Sequence, residues 1–376
     1  MPQPIDPLAR LPEEWVEALA ALGEPPYRAA QIFRWIHHRG VTDPEAMTNL
    51  PKALRLALHE AGLAPPLQLE REHRSADGAR KLVARLSDGA AIETVLLPVS
   101  PSSAVTDADA AAVVDDDDEP KAGGAHETTI RVTQCISTQV GCALGCVFCA
   151  SGAAGLKRHL TAGEISAQVL LGRDLLEPNE SLGNVVLMGM GEPLHNYDAT
   201  ARAIRLLTHP AGLGLSPRRI TLSTVGLPDG LRRLGEDFGG QIGLAISLHS
   251  ANDVTRSALM PVNRRHPVGE LLEALRHYPA PPGRPITIEV ALIRGQNDGL
   301  ADARQLAKAL RGLRVKINLI PMNPIEGSSF GPPANAQIRA FQDVLRDAGY
   351  LCFLRRRRGD DVAAACGQLV RRDVPG

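Results

Sequence analysis

From about residue 128 onward, short runs of β-branched and apolar residues alternate with longer stretches whose apolar positions recur at helical spacing. The pattern predicts strands over 130–137, 184–188, 219–224, 242–248, 286–292 and 315–320. Amphipathic helices are predicted near 161–177, 197–208, 228–236, 267–277, 299–312 and 334–348. Six strand–helix units in succession predict a parallel α/β sheet. Six fall short of the eight that close a full barrel, so the expected architecture is an open, partial (β/α)6 TIM-like barrel. In such a sheet the polar residues at the C-terminal ends of the strands line the site.

Upstream the pattern changes. Residues 1–65 read as a small helical domain, with one amphipathic segment at Glu13–Leu19 and a third from about 52 to 61. Between them, Ile32, Trp35 and Ile36 share a face at helical spacing. Residues 66–98 read as a β-hairpin extension, with strands at 81–86 and 92–97 around the turn Ser87-Asp88-Gly89. Residues 99–126 have no periodicity and are rich in Ser, Ala and Asp, which predicts a disordered acidic insert. Residues 127–349 form the barrel, and 350–376 a C-terminal strand and loop.

Charge changes this picture in one respect. The formal net charge of the 376 residues is −1, which on its face disfavours a nucleic-acid partner. The insert, however, holds seven acidic residues (Asp107, Asp109, Asp115, Asp116, Asp117, Asp118 and Glu119) against Lys121 alone, so it carries −6 and the rest of the chain +5. That positive charge is nearly all Arg, the residue suited to bidentate phosphate contact, although an Arg-rich codon usage would give the same composition. Aromatic residues make up only 3%, too few for a binding surface built on stacked bases. There is no signal-like N-terminus and no apolar run near the roughly 18 residues that span a bilayer, so a cytoplasmic location is expected. Six cysteines in a reducing compartment are better read as ligands or reactive groups than as disulfides.

The strongest chemical signal is Cys142-Ala143-Leu144-Gly145-Cys146-Val147-Phe148-Cys149, just after the first barrel strand. Three thiolates at this C-x3-C-x2-C spacing suit three irons of a [4Fe–4S] cluster and leave one iron open. Structural zinc is the competing reading, but it takes four ligands, and neither Cys135 nor His159 completes such a set. Incidental buried cysteines are the third. Further along stand Gly189-Met190-Gly191-Glu192-Pro193-Leu194, Thr221-Leu222-Ser223-Thr224, Ala245-Ile246-Ser247-Leu248-His249, Ile317–Asn323 with Pro324, and Arg358-Gly359-Asp360-Asp361 running on to Ala365-Cys366-Gly367. With these motifs in this order, nearly the whole chain resembles the radical SAM superfamily. Within it, the chain is similar to the dual-specificity 23S rRNA/tRNA adenine-C2 methyltransferases of the RlmN family.

The resemblance implies a set of roles. The cluster ligands are Cys142, Cys146 and Cys149, and the second cofactor is S-adenosyl-L-methionine (SAM), which the cluster cleaves to a 5′-deoxyadenosyl radical. Gly191, Glu192, Ser223, Ser247, Leu248, His249 and Asn323 are implied to bind SAM; ordinary strand-end packing is the alternative for any one of them. Cys366 is implied to carry a methyl group from one SAM as S-methylcysteine, activated by a second. Cys135 would then form a transient disulfide with Cys366, and Glu93 would accept a proton, unless it is simply a solvated strand residue. Arg355, Arg356, Arg357 and Arg358 could lower the Cys366 pKa. Cys352 has no counterpart and reads as a packing residue.

The implied substrates are adenosine 2503 in the peptidyl-transferase centre of 23S rRNA and adenosine 37 of tRNA. The implied partners also include a flavodoxin-type or similar reductant, with a monomer as the working unit and no membrane. Lys157, Arg158, the run Arg355–Arg358, Arg371 and Arg372 are candidate phosphate contacts, as are Arg28, Arg34, His37, His38 and Arg39 on the N-terminal helices; a solvated basic edge is the alternative. Two other functions compete: an adenine-C8 methyltransferase of the related resistance family, and a non-enzymatic Fe–S or zinc RNA-binding protein. The acidic insert departs from the family pattern, which joins these strands by a short connection. Deleting residues 100–125 is expected to leave RNA methylation intact; a folded deletion variant without activity would overturn that reading of the insert.

Overall fold

The computed structural model describes residues 6–99, 129–325 and 327–369. Beyond Val99 the acidic insert lies outside the described residues, as do Arg371 and Arg372. The helices α1 (Pro12–Ala20), α2 (Tyr27–Phe33) and α3 (Lys52–Glu60) come first. Strands β1 (Leu67–Arg74), β2 (Arg80–Leu86) and β3 (Ala91–Val99) follow, and then β4 (Ile130–Cys135), β5 (Gln139–Gly141), α4 (Ala150–Ala153) and β6 (Leu156–His159). The barrel continues through α5 (Ala162–Asp174), β7 (Glu180–Leu187), α6 (Tyr197–Thr208), β8 (Ile220–Thr224), α7 (Pro228–Phe238) and β9 (Gly243–Ser247). It ends with α8 (Asp253–Leu259), α9 (Val268–His277), β10 (Ile286–Leu292), α10 (Leu300–Ala309), β11 (Val315–Pro321), α11 (Asn335–Asp347) and β12 (Leu351–Leu354).

Ten strands form one sheet in the order β1-β2-β3-β4-β7-β8-β9-β10-β11-β12. All pairings from β4 to β12 are parallel, so the C-terminal strand adds a seventh parallel member to the six expected. The central strand β10 is buried along its whole length, as a strand covered on both faces must be. The predicted helices form where the apolar spacing placed them, and some also carry local caps. Thr161 and Glu164, for example, satisfy each other's backbone amides at the start of α5 (3.1 and 2.8 Å).

The hairpin extension is larger than its sequence suggested. β1 joins β2 and β3 to give three antiparallel strands, and β3 pairs antiparallel with β4, Val95 opposite Cys135. β1 was missed because its sequence, Leu67–Arg74, is mostly charged; only its first residue is buried, and its strand state rests on the β2 ladder. Because β3 runs against the barrel strands, its N-terminal end, which carries Glu93, lies at the barrel mouth. Topology supplies that placement.

The N-terminal helices are not a separate core. Trp15, Ile32, Phe33, Leu54 and Leu58 belong to the same continuous apolar cluster as the barrel strands. The helices dock on α5 and α6, where Arg202 reaches the Ala9 carbonyl (3.1 Å) and Glu14 (2.7 Å). His37, expected on an exposed basic face, is instead buried, packed against Phe33 and beside His209. The chain widens into a π-type turn at Arg34–His38, which carries His37 inward and leaves Trp35 half-buried. No helix among the described residues is long and apolar enough to cross a membrane.

Burial, reinforced by His209, lowers the His37 pKa from 6.5 to about 3, against a weaker opposing hydrogen bond that His37 donates to the Leu8 carbonyl. The unfolded chain therefore binds a proton below about pH 6.5 that the folded chain refuses, so stability falls as pH drops through that range. His37→Gln is expected to remove about 1 kcal/mol of the stability lost between pH ~6.5 and ~5.5. Urea unfolding at the two pH values checks this.

Candidate active site

Three groups of residues meet at the barrel mouth, two of them carrying cysteines. The first is the loop after β4. The antiparallel β5–β6 pair is closed at Gly141, whose φ of +78° and missing side chain are both required: a Cβ there would lie 1.8 Å from the Gly155 carbonyl oxygen. The Cys142 N–H donates to that same carbonyl (3.1 Å). The chain then winds past Cys146 to Cys149, which opens α4. Beneath the loop lies an apolar bed of Val225, Leu259, Met260, Ile293 and Met322, on which Leu144, Cys146 and Phe148 pack.

All three thiols are half-buried. Burial pushes Cys142 up to about 11, with Cys149 and Glu192 adding to it. Burial, then Cys149 and Cys142, also pushes Cys146 up. Soft donors that suppress one another's ionisation are stabilised as thiolates by a cationic metal centre. Among the described residues no three His, Cys, Asp or Glu are arranged about a single ion. The residues that fit an iron–sulfur cluster are these three thiols, which would each hold a separate iron.

The second group stands at the strand ends. Gly191 has φ +105°, and a Cβ would meet Gln139 at 2.6 Å, so the backbone passes close by. Glu192 is buried, and its two oxygens accept N–H donors from Leu194 (3.0 Å) and Val225 (2.9 Å), bridging the ends of β7 and β8. Burial raises its pKa to about 7 against hydrogen bonds from Thr224, Val225 and Leu194. These three donors leave one of the carboxylate's lone-pair sites open, so capacity for a ligand ammonium remains. Ser223 and Ser247 are half-buried at the ends of β8 and β9; Leu248 is fully buried, its carbonyl held by Arg256 Nε (3.1 Å). His249 adopts φ +58° and accepts the Ala291 N–H on Nδ1 (2.9 Å); burial and Arg256 lower its pKa to about 3, so it is neutral. Asn323 donates to the Cys366 carbonyl (2.9 Å), while its buried Oδ1 has no hydrogen-bond partner among the described residues, a place for a ligand's donor.

The third segment follows β12. The Ala150 N–H donates to the Gly367 carbonyl (2.8 Å), and Ser151 Oγ to Leu369 (2.5 Å), so the Cys366 loop is stitched to the residues directly after Cys149. Its other flank is tied to the β1–β2 turn and β3: Gly359 N–H to Asp77 (2.9 Å), Ala76 N–H to Asp361 (3.0 Å) and Arg358 to the Pro98 carbonyl (2.6 Å). Cys366 is exposed to the mouth yet ringed by protein. Burial, Glu289 and Cys149 push its thiol up to about 12, and only Arg355 pulls it down. Of the run Arg355–Arg358 expected to lower it, Arg355 does so but is outweighed by burial. Arg357 and Arg358 are turned toward the Met322 and Pro98 carbonyls instead.

Cys135 is buried at the end of β4, and burial together with Cys366 pushes it up to about 12. The two thiols thus lie within electrostatic reach of each other, and all six cysteines are free. Glu93 is buried rather than solvated, ion-paired with Lys81 (3.2 Å), and its carbonyl accepts Ser137 Oγ (2.7 Å). Cys352 is buried in β12, as expected.

Several residues of this site were not singled out from sequence. Gln139 accepts the Glu192 N–H (2.8 Å), Ser137 joins Glu93 to the Met190 N–H (2.9 Å), and Glu289 accepts from Asn318 (2.9 Å). Ser137 and Gln139 could have been suspected from their place between Cys135 and Cys142; Glu289 and Lys81 carry no local signal. Among the candidate phosphate contacts, Arg158 is committed to Glu164 (2.8 Å) and Asp88 (2.6 Å), while Lys157 and Arg356 are exposed.

Comparison with known proteins finds relatives along nearly the whole chain. Residues 12–62 match the ribosomal RNA large subunit methyltransferase N-terminal domain (RlmN_N), and residues 136–307 match the Radical SAM superfamily. The chain is 66% identical to the dual-specificity RNA methyltransferase RlmN of Sorangium cellulosum, across 98% of this chain and 96% of that protein. It is 43% identical to its counterpart in Anaeromyxobacter dehalogenans, across 98% and 93%. A radical SAM methyltransferase from Sphaerobacter thermophilus superimposes with a TM-score of 0.85 at 43% identity, covering 97% of this chain and 99% of that one.

The Gly141 turn provides a direct test of the cluster loop. Gly141→Ala is expected to lose most of the iron bound after anaerobic reconstitution, because the new Cβ collides with backbone. Gly155→Ala, with open space around its Cβ, should cost only about 1–2 kcal/mol and keep its iron. Iron content per chain distinguishes the two.

Proposed function

The chain belongs to the RlmN family of dual-specificity RNA methyltransferases in the radical SAM superfamily, and from that premise we propose that it methylates carbon 2 of adenosine, at adenosine 2503 of 23S rRNA and adenosine 37 of tRNA. Its cofactors are a [4Fe–4S] cluster and SAM, which when bound supply a methyl group and an oxidising 5′-deoxyadenosyl radical, two SAM per turnover. Cys142, Cys146 and Cys149 hold the cluster. Gly191, Glu192, Ser223, Ser247, Leu248, His249 and Asn323 hold and orient SAM. A flavodoxin-type or similar reductant is the proposed electron source, and the monomer the working unit.

Carbon 2 of adenine is electrophilic, so a simple methyl-cation donor does not attack it; the methyl group must first be carried by the protein. Cys366, facing the mouth, takes that role as a nucleophile and becomes S-methylcysteine. Its methyl carbon would give up one hydrogen atom to the deoxyadenosyl radical before joining the base. Glu93 then takes the proton from carbon 2, the bonding pair returns to the ring, and the adduct's unpaired electron would pass to the oxidised cluster. Cys135 then attacks the Cys366 sulfur. The S–S bond forms as the sulfur–carbon bond breaks, and the departing carbon takes a proton to become the methyl group. The base must leave its stack to reach this mouth, which favours RNA loops over duplex.

The observation that carries this reading is the Ala150–Gly367 hydrogen bond, which seats the Cys366 loop against the segment carrying Cys149. Cys135→Ala is expected to accumulate a covalent RNA adduct on Cys366, and Cys366→Ala to yield neither adduct nor product. Methylation by Cys366→Ala would overturn the covalent scheme, and nucleoside mass spectrometry of modified rRNA and tRNA distinguishes carbon 2 from carbon 8.

A further inference from the structure

Lysine is seldom buried, because its ammonium loses strong hydration unless something replaces it. Lys81 is buried at 8% exposure inside the antiparallel extension, and two groups replace its water. Its Nζ lies 3.2 Å from Glu93 Oε1 and 3.3 Å from the Ala363 carbonyl oxygen. The first contact follows from register. Lys81 stands opposite Val95, and Glu93 is two residues along β3 on the same face, within diagonal reach of a long side chain. The second contact crosses to a different part of the fold, the turn after β12, three residues before Cys366.

Ala363 is one of two non-glycine residues among those described with positive φ, at +50°. An alanine in the left-handed region is held there by its surroundings rather than by its own preference. The ammonium on its carbonyl is one such holder, alongside the clamps at Gly359 and Gly367. One cation therefore ties the carboxylate that takes the proton to the backbone that carries the reactive thiol.

We propose that Lys81 is a positioning residue for the deprotonation step, setting Glu93 and the Cys366 loop in mutual register so that the carboxylate meets carbon 2 of a base attached at Cys366. This rests on the roles proposed above for Glu93 and Cys366. Methyl loading of Cys366 does not involve Glu93, and the loop keeps its anchors at Asn323, Ala150 and Gln368 without Lys81. Loss of Lys81 therefore acts after loading. A purely structural lysine would instead depress loading and turnover together.

The test compares wild type with Lys81→Met, Lys81→Arg and Glu93→Gln, each reconstituted with cluster and supplied with SAM, reductant and an rRNA fragment. Three quantities are read: S-methylation of Cys366 by peptide mass spectrometry, the protein–RNA adduct on denaturing gels, and methylated nucleoside. Lys81→Met is expected to load Cys366 as wild type does, accumulate adduct, and form product more than about tenfold more slowly. Lys81→Arg, which keeps the charge, should recover part of that rate. Adding Lys81→Met to Glu93→Gln should change nothing further. Wild-type turnover in Lys81→Met, or equal loss of loading and turnover in a folded variant, would overturn the proposal. If Lys81→Met does not fold, Lys81→Gln takes its place with the same expectations. Glu93→Gln separates the two levels of inference: no adduct with Glu93→Gln refutes the Glu93 role, whereas adduct with Glu93→Gln but none with Lys81→Met refutes Lys81 alone.

Discussion

The site depends on the antiparallel pairing of β3 with β4 at the edge of an otherwise parallel barrel. A parallel neighbour would carry its N-terminal end to the far side of the sheet. The antiparallel register puts Val95 beside Cys135 and brings Glu93 level with Ser137, at the end where the parallel strands deliver their polar residues. The β3 partner strand β2 turns back into β1 at the other end of the extension, where Asp77 and Ala76 grip the loop that carries Cys366 to the mouth. Three segments far apart in sequence thereby share one mouth. Their contacts mostly join a side chain to a backbone group, so the seating depends on particular residues such as Asp77, Asp361, Ser151 and Asn323.

Electrostatically, the mouth resists thiolate formation. Burial pushes up Cys135, Cys142, Cys146 and Cys366, and neighbouring thiols or carboxylates add to the push. Arg355 opposes it at both Cys135 and Cys366. Thiols held protonated are poor nucleophiles and slow to form disulfides with one another. That suits the roles proposed for Cys135 and Cys366: premature pairing of these neighbours would close the site before RNA arrives. A cationic sulfonium ligand or metal centre entering this mouth shifts the balance toward thiolate. The apolar bed below the cluster loop and the buried, neutral His249 keep the surroundings poorly hydrated, which strengthens every charge placed there.

Much of this was legible in the chain. The alternation of strand and helix patterns fixed the barrel, because strands buried on both faces demand continuous apolar runs and outer helices demand a 3.6-residue stripe. The cluster loop was legible because its three thiols are local, within eight residues. Less legible were features whose cause lies far away in sequence. β1 is polar and stands only through its partner strand. His37 sits in a basic segment yet is buried by the fit between α2 and α6. The basic run Arg355–Arg358 looked like a pKa-lowering patch, but two of its members are drawn off by backbone carbonyls.

Residue types and short spacings by themselves determined which chemistry the chain can support: three soft ligands in one loop, strand-end acceptors, two spare thiols and a carboxylate. Such properties depend on neighbours within a few positions, so sequence carries them directly. Only the tertiary structure decided how these groups meet. Lys81 and Ala363 are separated by 282 positions, and Ser151 and Leu369 by 218, yet each pair is in hydrogen-bond contact. Neither contact has a local signature, because each is set by strand register and by where the last strand returns, quantities that exist only once the sheet has formed.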